Sequence, residues 1–401
     1  MGASIDERKP MVSGFGYASH SSSGIGSAHF RGRGRSHAPF KTWIWRHWPL
    51  LMVGSFGAFY LIHRLSHMGS STSAPKVTSQ SAQQLRSDSS RVQNGKVRLS
   101  DLIGASIHLS EVAAHEITDV KFGGKEATEV KGKTDEGVDE PVTLADARSN
   151  SVFVNGLREL FPGISILSEE TDPDLEEVGI SAINGVELTH DPWLDLKDIL
   201  ITVDPLDATK EFTENLLHFV TTMVCVVHKG KPIAGIINEP FVKDEAAVWG
   251  VALDKATEGA DLRVSHGLQP STEDTVAGAD KVVISRSHTG SGADVVSEYL
   301  PGKQPVFAGG SGYKALRVLE GDANAYVHVT KIKSWDVCAA DAVVHAAGGK
   351  FTNLKGERLV YEKDDPLISG GIIAAADSKM HAWYVEKLAP FLSSHGDKQR
   401  I

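Results

Sequence analysis

The stretch Ile199-Leu200-Ile201-Thr202-Val203-Asp204-Pro205-Leu206-Asp207-Ala208-Thr209 decides how this chain is read. Its first five residues, apolar or β-branched without a break, predict a strand buried on both faces. Two carboxylates, Asp204 and Asp207, follow at the strand's end across a proline-stiffened turn. Oxygens so placed converge on one point and suit a hard cation such as Mg²⁺. Thr209 adds a hydroxyl beside that point. A hydroxyl that orients a water next to a cation points to phosphate cleavage and away from a simple binding module.

Working outward, Val97, Leu99, Leu102, Ile103, Ile107, Val112, Ala113, Ile117 and Val120 recur at helical spacing and predict a long first helix. Gly123-Gly124 and the polar stretch 131–140 then read as a loop or hairpin. Thr143-Leu144-Ala145-Asp146 opens a second helix to about Leu160, which Pro162-Gly163 ends. The strand 164–168 delivers Glu169-Glu170, and 171–198 is a polar excursion. Downstream, strands are expected at 220–228, 233–237 and 246–251, with a hairpin at Gly230. The second half offers a strand at 281–285, a helix at 312–319, a strand at 325–329 and a helix opened by Trp335-Asp336 and stopped at Gly348-Gly349. Helices and strands alternate with neither a Rossmann glycine fingerprint nor an internal repeat, which predicts layered α/β packing.

The chain has 401 residues, and its 41% hydrophobic content suffices for a globular core. A net charge of −10 argues against a role in coating nucleic acid. Small anionic substrates stay compatible with it, because a bound cation reverses the local sign. The two cysteines, Cys225 and Cys338, sit in apolar runs and read as small core residues.

The N-terminal part is of another kind. Residues 1–40, rich in Ser, Gly, Arg and His, predict a disordered tail. The charge-free run from Leu50 to Ile62, extended back through Trp43 with Arg46 and His47 snorkelling, predicts a transmembrane signal-anchor over 41–63. Trp43, Trp45, Trp48 and Tyr60 would anchor it at the interfaces. Arg31, Arg33, Arg35 and Lys41 precede it, so the N-terminus is expected in the cytoplasm and the body in a lumen. Residues 64–95 read as a flexible stalk, 96–395 as the catalytic domain and 396–401 as a tail.

Glu169-Glu170, Asp204-Pro205-Leu206-Asp207-Ala208-Thr209 and Trp335-Asp336 resemble, in order and spacing over about 97–395, three signature blocks of the inositol monophosphatase superfamily. Lys210-Glu211-Phe212-Thr213, Ser285-Arg286-Ser287-His288 and Gly309-Gly310-Ser311-Gly312-Tyr313-Lys314 resemble its branch of 3′-phosphoadenosine 5′-phosphate (PAP) phosphatases, and the anchor suggests that branch's Golgi-resident members. The resemblance implies a five-layer αβαβα sandwich, Mg²⁺ dependence with two or three ions, lithium inhibition, commonly a homodimer, and hydrolysis of PAP to AMP and phosphate in the Golgi lumen. Inositol phosphates are the rival substrates on the same fold, and a silent membrane-tethered scaffold is the rival class.

By the same resemblance, Glu169, Asp204 and the Leu206 carbonyl hold one Mg²⁺, and Asp204, Asp207 and Asp336 hold another. Asp146 and Thr209 match the pair that activates water. Ser285, His288, Gly310 and Lys314 are the implied substrate contacts, with Lys314 pairing the 5′-phosphate. Read from the residues alone, Asp146 and Asp336 are also ordinary acids in a helix's first turn. Two departures stand out. Ala208 replaces the glycine usual in the superfamily, and Asp341 adds a carboxylate little more than a turn beyond Asp336, either perturbing the metal or touching a sugar hydroxyl. Glu140, where the superfamily often has Asp, leaves a third metal open.

Overall fold

Strand β6 (Ile199–Asp207) is buried at every position, as an unbroken apolar run requires. It pairs in parallel with β4 (Ser165–Ser168) and antiparallel with β7 (Thr221–His228). With β8 (Lys231–Asn238), β9 (Val248–Leu253) and β10 (Leu262–His266) they form a six-stranded sheet in the order β10-β9-β8-β7-β6-β4. Lys229 and Gly230, at φ 51° and 76°, make the two-residue turn between β7 and β8, the backbone a tight hairpin needs.

A second, five-stranded sheet runs β12-β11-β13-β17-β15, from β11 (Lys281–Ser285), β12 (Gln304–Ala308), β13 (Ala325–His328), β15 (Lys350–Thr352) and β17 (Ile372–Ala375). Three two-stranded ribbons complete the strands: β1 (Lys96–Arg98) with β5 (Trp193–Asp195), β2 (Thr128–Lys133) with β3 (Asp139–Thr143), and β14 (Ile332–Lys333) with β16 (Leu367–Ile368). The β2–β3 pair is the hairpin expected in the polar stretch.

The computed structural model describes residues 91–124, 128–133, 139–174, 178, 180, 183, 185–242, 247–254, 262–268, 280–286 and 292–395. The expected tail, the membrane segment and the stalk up to residue 90 lie outside the described residues, as does the C-terminal tail. Among the described residues no helix is long and apolar enough to cross a membrane.

Five layers follow from which faces are apolar. Helices α1 (Leu99–Phe122) and α2 (Leu144–Leu160) cover the outer face of the first sheet, packing Leu102, Leu109, Phe153 and Leu157 on Ile201, Val203, Val224 and Ile236. The short α3 (Thr209–Thr213) continues the turn after β6. On the outer face of the second sheet, α4 (Gly292–Tyr299) and α7 (Ser378–His395) bury Val295, Tyr384 and Leu388 against Ile284, Val327 and Ile373. Between the sheets lie α5 (Ser311–Leu319) and α6 (Ser334–Ala346), with Leu316, Val337 and Val343 meeting Met223 and Ile237 on one side and Tyr326 and Phe351 on the other. The expected αβαβα order is thus present. Helix α6 is alanine-rich because it lies close to the sheet: a Cβ on Gly235 would come within 2.3 Å of the Ala339 carbonyl oxygen.

The structure corrects the reading of the cysteines. Side chains alternate along β7, so Val224 and Val226 face α1 while Met223, Cys225 and Val227 face the middle layer. Cys225 therefore meets Cys338 on α6, and the two form a disulfide with Cα atoms 5.7 Å apart across 113 residues of sequence. Spacing along the chain carries no sign of that pairing. Helices α4 and α7, and the strands β12, β15 and β17, were likewise not expected. Their apolar positions are too few per element to stand out before the sheet is assembled.

Candidate active site

The β6–β7 ladder is interrupted between Asp204 and Asp207, and there the first functional carboxylates emerge. Ser149 of α2 donates its hydroxyl to the Pro205 carbonyl at 2.6 Å and holds the turn from the core side. Ala208 closes the turn in the left-handed region, φ 72° and ψ 43°. An alanine adopts it at a cost of about 1 kcal/mol that glycine would escape.

Glu169 follows β4 directly, with its backbone N–H on the Val203 carbonyl at 3.0 Å. Asp336 is the third residue of α6, and its Oδ2 accepts the Lys333 N–H at 3.0 Å. Together with the buried Asp204 they bring carboxylate oxygens within 4.8 Å of one another. Burial, and then repulsion from the neighbouring acids, pushes Asp204 and Asp336 well above the carboxylate range. Burial lifts Glu169 to about 6 even though Lys131 opposes the shift. Asp204 Oδ1 is buried without a hydrogen-bond partner. Crowded acids with an orphaned buried oxygen fit a bound cation, and an all-oxygen donor set suits a hard divalent ion such as Mg²⁺.

Asp207 stands apart from this trio. Its Oδ2 accepts the Thr221 hydroxyl and the Gly312 N–H, each at 2.9 Å, so it caps the start of α5. Any metal-ligand role for Asp207 rests on its other oxygen.

Thr209 Oγ1 lies 2.9 Å from Asp146 Oδ1 and 3.0 Å from the Leu206 carbonyl. One hydroxyl proton serves one acceptor at a time. When it goes to Asp146, the Leu206 carbonyl is released to act as a ligand. Asp146 Oδ2 meanwhile accepts the Thr143 N–H at 2.7 Å and the Thr143 hydroxyl at 2.6 Å. Asp146 thus divides its oxygens: one caps α2, and the other faces Thr209. Burial raises the Asp146 carboxyl, and the bonds from Thr143 and Thr209 oppose the rise.

Lys131, on β2, carries no signal in the sequence. Its ammonium donates to Glu169 Oε1 at 2.6 Å and Glu170 Oε1 at 2.5 Å. Burial alone would lower this ammonium, yet the two glutamates hold it well above the usual lysine range. It is an internal cation on the rim of the acidic trio.

On the facing side, Ser285 ends β11 and is buried, and His288 lies outside the described residues. Gly310 has φ 61°, and a Cβ there would approach the Phe219 carbonyl at 2.6 Å and Asp207 Oδ2 at 3.0 Å. The close approach it permits is thus to the acidic turn. Lys314 departs from expectation. Its ammonium donates to the Gly310 carbonyl, lies 5.1 Å over the Tyr326 ring and is buried. Burial lowers it, and Asp207, Glu211 and Asp336 resist that shift. It is turned inward as a counter-charge to Asp207 and its neighbours, whose attraction offsets only part of its desolvation. Asp341 also points away from the acidic trio: Tyr361 donates to its Oδ2 at 2.9 Å, and His345 Nδ1 is 2.7 Å from its Oδ1. A helix turns 100° per residue, so five residues carry Asp341 to the far side of α6 from Asp336. The side chain of Glu140 is not among the described ones.

A layered α/β body with clustered acids at a strand end that could hold a divalent cation, and a partly buried hydroxyl–carboxylate pair beside them, defines a class of metal-assisted hydrolases. The chain belongs to the inositol monophosphatase family, whose model matches residues 98–391, and it is a phosphatase of that family. It is 34% identical over 322 residues to inositol monophosphatase 3 of Xenopus laevis, covering 75% of this chain and 86% of that one. It is 33% identical over 315 residues to the Golgi-resident adenosine 3′,5′-bisphosphate 3′-phosphatase of Mus musculus, covering 75% and 84%. Among solved structures, an IMPase of Thermotoga maritima shares the fold with a TM-score of 0.53 at 18% identity, over 73% of this chain and 99% of that one.

Proposed function

We propose that the protein is a Mg²⁺-dependent phosphomonoesterase that removes the 3′-phosphate of PAP, giving AMP and phosphate, with its body held in the Golgi lumen by an N-terminal membrane anchor. The observation that carries the hydrolytic part is the Asp146–Thr209 pair set beside the trio Glu169, Asp204 and Asp336. Glu169, Asp204 and Asp336, with Leu206 and Asp207 as further donors, would hold the cation, which when bound would neutralise charge and polarise the attacking water. Thr209 Oγ1 takes a proton from that water as its own passes to Asp146 Oδ1. Asp146 keeps the hydroxyl aimed through its second oxygen, which Thr143 holds. The raised affinity of the Asp146 carboxyl for a proton suits it to receive one.

A relative named for adenosine 3′,5′-bisphosphate matches the same body, and Ser285 and the Gly310 segment are the candidate contacts for a base and ribose. Lys314 contributes from behind, through Asp207. The Cys225–Cys338 disulfide favours an oxidising compartment, which agrees with a lumenal body. Similarity to inositol monophosphatase 3 supports a second reading, hydrolysis of an inositol monophosphate at the same metal site.

Phosphate release from PAP and from inositol 1-phosphate by the full chain in detergent, with Mg²⁺ varied, separates the readings. PAP turnover is expected to exceed inositol phosphate turnover at least tenfold in kcat/KM; the reverse order would give the second reading the site. Digestion of the body by protease added to sealed vesicles would overturn the lumenal placement.

A further inference from the structure

We propose that Arg286 is a positioning residue that latches α3, and with it the Thr209 hydroxyl, to the second sheet; the inference rests on the hydrolytic reading above. Arg286 follows the last residue of β11, and its backbone N–H donates to the Ala308 carbonyl at 3.1 Å, which ties it to β12. Its Nη1 lies 3.1 Å from Glu211 Oε1 and 2.5 Å from Glu214 Oε2. Glu211 is the third residue of α3, and Glu214 is the first beyond that helix.

The second half of the latch is steric. Glu211 is 2% exposed, and it fills the notch left by Gly309: a Cβ there would stand 2.5 Å from both its Cγ and its Cδ. The carboxylate is thus held by a cation on one side and a missing side chain on the other. Helix α3 needs such support, because five residues are far too few for a helix to persist on propensity. On its opposite flank Lys121 donates to the Phe212 carbonyl at 3.0 Å and lies 4.6 Å over the Phe212 ring. Arg286 and Lys121 grip the helix from two sides, and its first residue carries the hydroxyl that must stay 2.9 Å from Asp146.

The charges separate this role from phosphate binding. Arg286 and Lys314 supply two positive charges here, and Asp207, Glu211 and Glu214 supply three negative ones. A guanidinium already shared by two carboxylates in a net negative cluster has its donors engaged and its charge compensated, which leaves it a poor anchor for a substrate phosphate. It orients the helix and does not read the substrate.

The test measures kcat and KM of the full chain, its Arg286→Ala, Arg286→Lys and Gly309→Ala variants, with PAP and with p-nitrophenyl phosphate, and amide hydrogen exchange across 209–216. Arg286→Ala is expected to lower kcat about 10- to 100-fold for both substrates with KM within threefold, as a misplaced catalytic group does. Exchange in the segment should quicken about tenfold, Arg286→Lys should recover most of the loss, and Gly309→Ala should reproduce it with Arg286 intact. A rise in KM confined to PAP, an unchanged kcat, or a loss that merely tracks the unfolded fraction overturns the latch. If the wild type cleaves only p-nitrophenyl phosphate, the PAP reading falls and the latch is still judged. If it cleaves neither, unchanged exchange in Arg286→Ala and Gly309→Ala still refutes it.

Discussion

The acidic trio and the glycine-rich segment Gly309–Lys314 both bury polar groups, and they satisfy them in opposite ways. Around Glu169, Asp204 and Asp336 the protein supplies too few donors: Asp204 Oδ1 has none, and Lys131 is the ammonium set against Glu169. Around Asp207 it supplies enough, with Thr221, Gly312 and the nearby Lys314 all facing one carboxylate. One region is built for a cation from outside, and the other is built to hold the first in place. Gly310 and Lys314, expected to read substrate, face the acidic turn: Gly310 packs beside Asp207 Oδ2, and the Lys314 ammonium donates to the Gly310 carbonyl.

Four experiments press on that contrast, beginning with the largest effect. Asp204→Asn or Asp336→Asn removes charge where nothing else replaces it, so turnover should fall at least about a thousandfold, with Mg²⁺ binding lost in calorimetry. Retained Mg²⁺ affinity in both variants would mean that the trio is not the cation site. Lys314→Met should weaken Mg²⁺ binding about tenfold through Asp207 while leaving KM for PAP within threefold; a KM effect alone would restore Lys314 to the substrate.

The metal-free protein should lose stability as pH rises. Glu169 holds its proton up to about 6 in the folded state, against 4.5 for an ordinary glutamate. Between those values the folded chain carries more protons than the unfolded one, so stability falls with rising pH across the window, and Asp204 and Asp336 extend the fall upward. Thermal unfolding in chelator should show this decline, and Mg²⁺ should flatten it; an apo protein that gains stability over the same range would show that the acids are already compensated. The smallest effect belongs to the turn between the two regions. Ala208→Gly relieves the left-handed backbone and should raise stability by about 1 kcal/mol in denaturant titration with little change in kcat.

How far the molecule was legible varies from residue to residue for physical reasons. Asp146, Glu169, Asp204 and Asp336 each stand at the end of a strand or in the first turn of a helix, and periodicity and caps mark such places in a sequence. That they converge was implied by family resemblance, and that they lie within reach of one cation is visible only once the strands and helices are packed. Asp341 misled because a linear distance from Asp336 does not state which side of α6 a residue occupies. Lys131 left no sign, and Arg286 and Glu211 stood in stretches that carry the resemblance without a role of their own, since long charged side chains in polar stretches ordinarily face water.

The sequence by itself determined the buried strand that ends in Asp204, the helices opened at Thr143 and Trp335, and the layered α/β class, because these depend on local pattern and on which faces are apolar. Tertiary structure alone decided that Cys225 meets Cys338, that Asp146 divides its two oxygens between a helix cap and Thr209, and that Lys314 turns inward. Each of these joins groups distant in the chain whose partners exist only after the two sheets close on the middle layer of helices. There a buried charge settles on the nearest opposite charge.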